Sequence, residues 1–65
     1  MDDVYDVKIR YEYANGKKMY AYDTGEWVFI MRMLEHELRD DKTLVKAYVS
    51  EAIDRKSGRK IVFSH

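Results

Sequence analysis

Residues 23–40, Asp-Thr-Gly-Glu-Trp-Val-Phe-Ile-Met-Arg-Met-Leu-Glu-His-Glu-Leu-Arg-Asp, form the only stretch of this chain long and periodic enough for a substantial helix. At about 100° per residue, Trp27, Ile30, Met31, Leu34 and Leu38 share one face. Such a stripe is what a helix buries against a sheet, at roughly 1.5–3 kcal/mol per side chain before entropy. The spacing predicts a helix over about 24–40 whose near face is the core. Asp23 is placed to cap it, with Glu26 three residues on as in a capping box. Tyr22 and Trp27 are spaced for a hydrophobic staple across the cap. At the other end Arg39 suits the dipole, but Asp40 and Asp41 oppose it, so the helix should fray there.

On the far side, Phe29 and Met33 are i, i+4 neighbours among Arg32, His36 and Asp40. Scattered surface hydrophobes need no explanation, but an apolar pair on a charged face hints at a contact surface.

The flanking segments read as strands. Residues 4–13 alternate, with Tyr5, Val7, Ile9, Tyr11 and Tyr13 on one face and Asp6, Lys8, Arg10 and Glu12 on the other. Asn15-Gly16 is a strong hairpin signal, since a type I′ turn needs positive φ at both positions. Residues 17–22 return as the second strand. A two-residue turn pairs Tyr11 with Tyr20 and Ile9 with Tyr22, placing Tyr20 and Tyr22 on the core face. A three-residue loop with a bulge would place Met19 and Ala21 there instead. The first register is expected, because it keeps Tyr22 beside Trp27.

Beyond the helix, residues 43–53 are rich in β-branched and aromatic types and predict a long third strand, in preference to a helix over 44–56. Residues 54–59 carry an aspartate and a glycine suited to a turn, and 60–63 form a short fourth strand. These two strands do not alternate cleanly. Val45, Ala47, Val49, Ile53 and Val62 form one set; Leu44, Tyr48, Ala52, Ile61 and Phe63 form the other. Both faces of this half therefore look partly apolar, and a terminus or another chain could cover the second.

The order is β-β-α-β-β. A right-handed crossover through the helix sets the third strand beside the first, giving an antiparallel sheet of order 2-1-3-4. The predicted fold class is α+β, a two-layer sandwich with one helix on one sheet face. Its 65 residues make a single small domain, close to the size at which folding alone becomes difficult and association helps. There is no cysteine, so neither a disulfide nor a thiolate site adds stability. The acidic start Met-Asp-Asp-Val is unlike a signal peptide, and no segment is apolar enough to span a membrane, so the cytoplasm is the expected compartment.

Catalysis needs a nucleophile–base pair, paired acids or a metal. His36 has only Asp40 beside it as a second ligand, and His65 is the terminal residue. No enzyme activity, metal or cofactor is expected. Net charge is zero, yet residues 1–41 carry six Lys/Arg and ten Asp/Glu, or −4, and residues 42–65 carry six and two, or +4. The reading favoured for this split is that the two halves complement each other. Its sharpest element is the run Arg55, Lys56, Arg59 and Lys60, which could contact phosphates. Base stacking on the tyrosines would fail if the helix covered them.

The expected function is that of a small non-enzymatic accessory protein, in the style of a bacterial or phage protein, acting by protein–protein contact or as a homodimer. Its candidate contacts are Phe29, Met33, His36, Tyr48 and Phe63. The alternative is nucleic-acid binding through residues 55–60.

Overall fold

A computed structural model describes residues 3–64. His65 and the first two residues of the acidic start lie outside them. The elements are β1 (Val4–Tyr13), β2 (Lys18–Glu26), α1 (Trp27–Asp40), β3 (Leu44–Asp54) and β4 (Lys60–Val62). All strand pairs are antiparallel and the sheet order is β2-β1-β3-β4, with α1 packed on one face, as the sequence predicts.

The first hairpin takes the other register. Tyr11 faces Met19 and Ile9 faces Ala21, so Met19 and Ala21 share the helix side while Tyr20 and Tyr22 lie on the open face. The turn explains this. Only Gly16 has positive φ (87°); Asn15 does not, which excludes a type I′ turn. Ala14, Asn15 and Gly16 form a three-residue loop in which Tyr13 N–H donates to Lys17 O and Gly16 N–H donates to Tyr13 O. Asn15 Oδ1 accepts the Lys17 N–H at 2.9 Å. The register also sends two tyrosine hydroxyls to water instead of burying them without partners.

The helix begins later than its capping residues suggest. β2 stays paired with β1 as far as Val4↔Glu26, so Asp23 belongs to the sheet, opposite Val7. Glu26 is the N-cap, in extended conformation and without a side-chain cap. A cap contributes about 1 kcal/mol; continuing the ladder satisfies several backbone groups at once. The Tyr22–Trp27 staple is absent, since Tyr22 is 77% exposed on the opposite face. Trp27 instead packs edge-on to Tyr5 at 5.7 Å and stacks on Phe63 at 5.5 Å between ring centroids. At the far end, Asp41 N–H still donates to Glu37 O. Asp41 Oδ1 accepts from the hydroxyl and the N–H of Thr43, and these bonds hold its carboxyl below the usual range.

The irregular pattern of β3 has a local cause. Its pairing with β1 shifts twice: Val45 is skipped between Leu44 and Lys46, and Ser50 between Val49 and Glu51. Each bulge resets the alternation. Leu44, Ala47, Val49 and Ala52 therefore all share the helix side, joined through β4 by Ile61 and Phe63. Tyr48 goes to the open face, with Lys46, Glu51 and Ile53. The open face of this half of the sheet is partly apolar, as expected, carrying Tyr48 with the exposed Ile53 and Val62, whereas Phe63 lies on the helix side under Trp27.

The core is Val7, Ile9, Ile30, Leu34, Val49 and Ala52, with Trp27, Met31 and Met33 packed at its margin. Leu38, expected at the core, lies at its margin and is 38% exposed. The helix stripe is thus centred on Ile30 and Leu34 and rotated towards Met33.

One hydrogen bond ties helix to sheet on that side. Tyr11 OH donates to Glu37 Oε1 at 3.2 Å. Burial, and then the Glu37 carboxylate, push the Tyr11 pKa up to about 12 from 10.0. A raised folded-state pKa stabilises the fold fully below the unfolded value and loses that contribution as pH rises through the folded one. Wild-type stability should therefore fall between pH 10 and about 12 more steeply than that of Tyr11→Phe. Urea midpoints of both proteins across this window check it; parallel curves would refute it.

Candidate functional site

The open face of the sheet is a lattice of charges and tyrosines set by the register. Across it run the rows Thr24–Asp6–Ile53, Tyr22–Lys8–Glu51, Tyr20–Arg10–Tyr48 and Lys18–Glu12–Lys46. Lys8 Nζ lies 4.5 Å from the centre of the Tyr20 ring, Arg10 5.8 Å from the same ring, and Lys46 5.4 Å from that of Tyr48. Arg10 Nε is 3.5 Å from Glu12 Oε2 without a hydrogen bond of its own. Tyr48 OH donates to Glu12 at 3.3 Å. Desolvation raises the Tyr48 pKa, with the Arg10 charge opposing. Three of the four rows set a tyrosine or Ile53 among polar groups, and the fourth, Lys18–Glu12–Lys46, is wholly charged.

The basic hairpin tip is partly neutralised. Arg55 Nε lies 3.8 Å from Asp6 and Lys60 Nζ 3.5 Å from Glu51. Among the described residues, no carboxylate comes within ion-pair distance of Lys56 or Arg59. Asp54 builds the turn, accepting the Lys56 N–H at 2.9 Å and the Ser57 N–H at 3.4 Å on its side chain. Gly58 supplies its one positive φ. The Arg55–Asp6 pair joins the basic half of the chain to the acidic half. Such exposed pairs contribute about 0–1 kcal/mol, so the tip is held by its turn.

The helix has two unlike flanks. Trp27, Met31 and Leu38 overlook β3 and, with Ala47, Val49 and Phe63, line a largely apolar groove of about 220 Å³, which Glu35 and Tyr48 also border. The opposite flank carries Phe29 and Met33 and leans over β1 and β2. Phe29 is 59% exposed, but Met33 is half-buried against the core, which separates the expected pair. His36 is exposed beyond Met33, at a shallow hollow with Asp40 and Lys42. Among the described residues, no three His, Cys, Asp or Glu side chains are grouped to hold a metal ion. No helix among them is long and apolar enough to cross a membrane.

The feature that sequence reasoning missed is the outer edge of β2. This nine-residue strand stands at the end of the sheet, pairs with β1 without a bulge, and contains no proline. Natural edges are shortened, bulged or covered against pairing with another chain. Here the cover is slight: Asp23 Oδ1 accepts the Thr24 N–H at 2.8 Å. Met19 is 46% exposed beside the same edge. The alternative hairpin register carries the signal, because it moves Met19 to the helix side of the sheet, opposite Tyr11.

The chain matches no protein-family model, no curated protein and no solved structure.

Proposed function

We propose that this chain is a non-enzymatic protein-contact module whose working surface is the outer edge of β2 together with the helix flank bearing Phe29. The observation that carries this reading is the long, unbulged edge strand beside exposed Met19 and Phe29. An edge strand supplies main-chain hydrogen bonds to a partner, and the apolar side chains beside it supply burial. Met33 and His36 belong to the rim of this surface. Tyr48 and Phe63 do not, since one lies in the open-face lattice and the other under Trp27.

The reading is tested with a photoreactive benzophenone side chain placed at position 22, 29 or 56 of the full chain. Irradiation in the native cell should give protein adducts from positions 22 and 29 and none from 56. Absence of adducts at 22 and 29 overturns it.

A second reading is nucleic-acid binding, favoured by one observation: Arg10 stands between Tyr20 and Tyr48 on the uncovered face. Rings and cations so arranged suit stacked single-stranded bases, and Lys56 and Arg59 would extend the surface. Against it stand zero net charge and the ion pairs of Arg55 and Lys60. A low-salt titration with a single-stranded oligonucleotide decides it: no binding removes this reading.

A further inference from the structure

We propose that the partner on the β2 edge is a second copy of this chain, paired antiparallel with Tyr22 on the two-fold axis, so that two four-stranded sheets become one of eight. This rests on the protein-contact reading above and names the partner.

The backbone phase is the first reason. Tyr13 N–H donates to Lys17 O, so in the antiparallel ladder the pairs of β1 with Met19, Ala21, Asp23 and Gly25 exchange hydrogen bonds. The peptide groups of Lys18, Tyr20, Tyr22, Thr24 and Glu26 then point away from the sheet. This set is symmetric about Tyr22. A two-fold axis there pairs Lys18 with Glu26 of the second copy, Tyr20 with Thr24, and Tyr22 with itself. Every outward group finds a partner.

Charge selects the same register. Lys17 and Lys18 stand at one end of the strand, Asp23 and Glu26 towards the other. Antiparallel pairing about Tyr22 joins opposite ends. Shifting the axis to Asp23 would set two aspartates face to face. Shifting it to Ala21 would leave Glu26 facing the turn at Gly16.

Glycine in the middle of a strand gives the third reason. Gly25 has no positive φ, and a Cβ built on it would meet only the Ile30 side chain, at an ordinary 3.6 Å from Cδ1 and 3.9 Å from Cγ1. Its own fold therefore does not require glycine there, although glycine weakens a strand. In the proposed pairing Gly25 lies opposite Met19 of the second copy, on the helix side, and the missing Cβ leaves room for that side chain. Asp23 faces Ala21, which leaves its carboxylate space to swing off the Thr24 N–H. The two-fold axis is perpendicular to the sheet, so both helices lie on one side, with their Phe29 flanks turned towards each other. The interface is isologous and closes at two chains.

The test uses the full chain, which has no cysteine of its own. Sedimentation should give the mass of two chains. In the proposed register the two copies of position 22 have Cα atoms about 5.5 Å apart, whereas those of position 20 are separated by roughly 14 Å along the strand. A short thiol cross-linker should therefore link Tyr22→Cys into dimers and leave Tyr20→Cys unlinked. An equal mixture of Tyr20→Cys and Thr24→Cys should link. Lys18→Glu should weaken the dimer by roughly tenfold, and adding Glu26→Lys should restore it. Tyr22→Pro loses only an outward N–H, so it should stay folded by circular dichroism and sediment as one chain.

A wild-type chain that sediments as a monomer at every concentration overturns the proposal. So does a dimer that links through Tyr20→Cys and not through Tyr22→Cys. If the benzophenone at position 22 captures only other proteins, self-pairing fails while the protein-contact reading stands. If it and position 29 capture no protein, both fail.

Discussion

Ile9→Ala should remove most of the stability of this domain. Ile9 is 1% exposed, at the centre of the sheet, between Ala21 on β2 and Val49 on β3 and within the cluster that holds Ile30 and Leu34. Truncating a buried isoleucine costs about 2–5 kcal/mol, because the transfer free energy is lost and a cavity remains. A domain of this size has about 3–10 kcal/mol in all. Urea titration at one fixed concentration should show the midpoint falling by half or more, with part of the chain already unfolded in buffer. Val45→Ala is the control: Val45 is the extra residue of a bulge, 64% exposed, and its loss should stay within about 0.5 kcal/mol. If Ile9→Ala costs less than Val45→Ala, the core has been placed wrongly. Both proteins must be compared at equal concentration, since a two-chain assembly makes apparent stability concentration-dependent.

The same residue shows what the sequence could and could not convey. The inward row of β1 was legible because strict alternation over ten residues allows one face only. The helix and its place in the sheet order followed from periodicity and from the limits on chain crossings. β3 was opaque for a physical reason: two bulges reverse the alternation, and a bulge has no residue signature of its own at Val45 or Ser50. Ser50 is fixed by a hydroxyl bond to Lys8 O at 3.1 Å, a contact 42 positions away in the chain. The hairpin register turned on whether Asn15 adopts positive φ, and an Asn-Gly pair is compatible with both answers. Once that choice reverses, Tyr20 and Tyr22 change faces and the β2 edge replaces the helix pair as the main candidate surface. Phe29 stays exposed and Met33 is drawn partly into the core, because the buried stripe is rotated towards Met33.

Trp27 is the second position where a large effect is expected, and there the effect should divide in two. Its ring stacks on Phe63 just beyond β4 and meets Tyr5 of β1 edge-on, so it joins the start of the helix to an interior strand and to the β4 edge of the sheet. Trp27→Ala should cost about 3–5 kcal/mol and should also loosen β4. That strand has three residues, all exposed, and pairs only with Glu51–Ile53. The stack between Trp27 and Phe63 is therefore a main side-chain anchor for β4. Phe63→Ala separates the two consequences. It removes the anchor but leaves the Trp27–Tyr5 contact and the central cluster in place. Amide exchange at Lys60–Val62 should then approach that of an unstructured peptide, while the central amides of β1 and β3 keep the protection set by global unfolding. If the β4 amides keep their protection in Phe63→Ala, backbone pairing alone holds the strand and the aromatic stack is incidental. If instead all amides lose protection together, β4 is part of the global cooperative unit, and Phe63 counts as core on the same terms as Ile9.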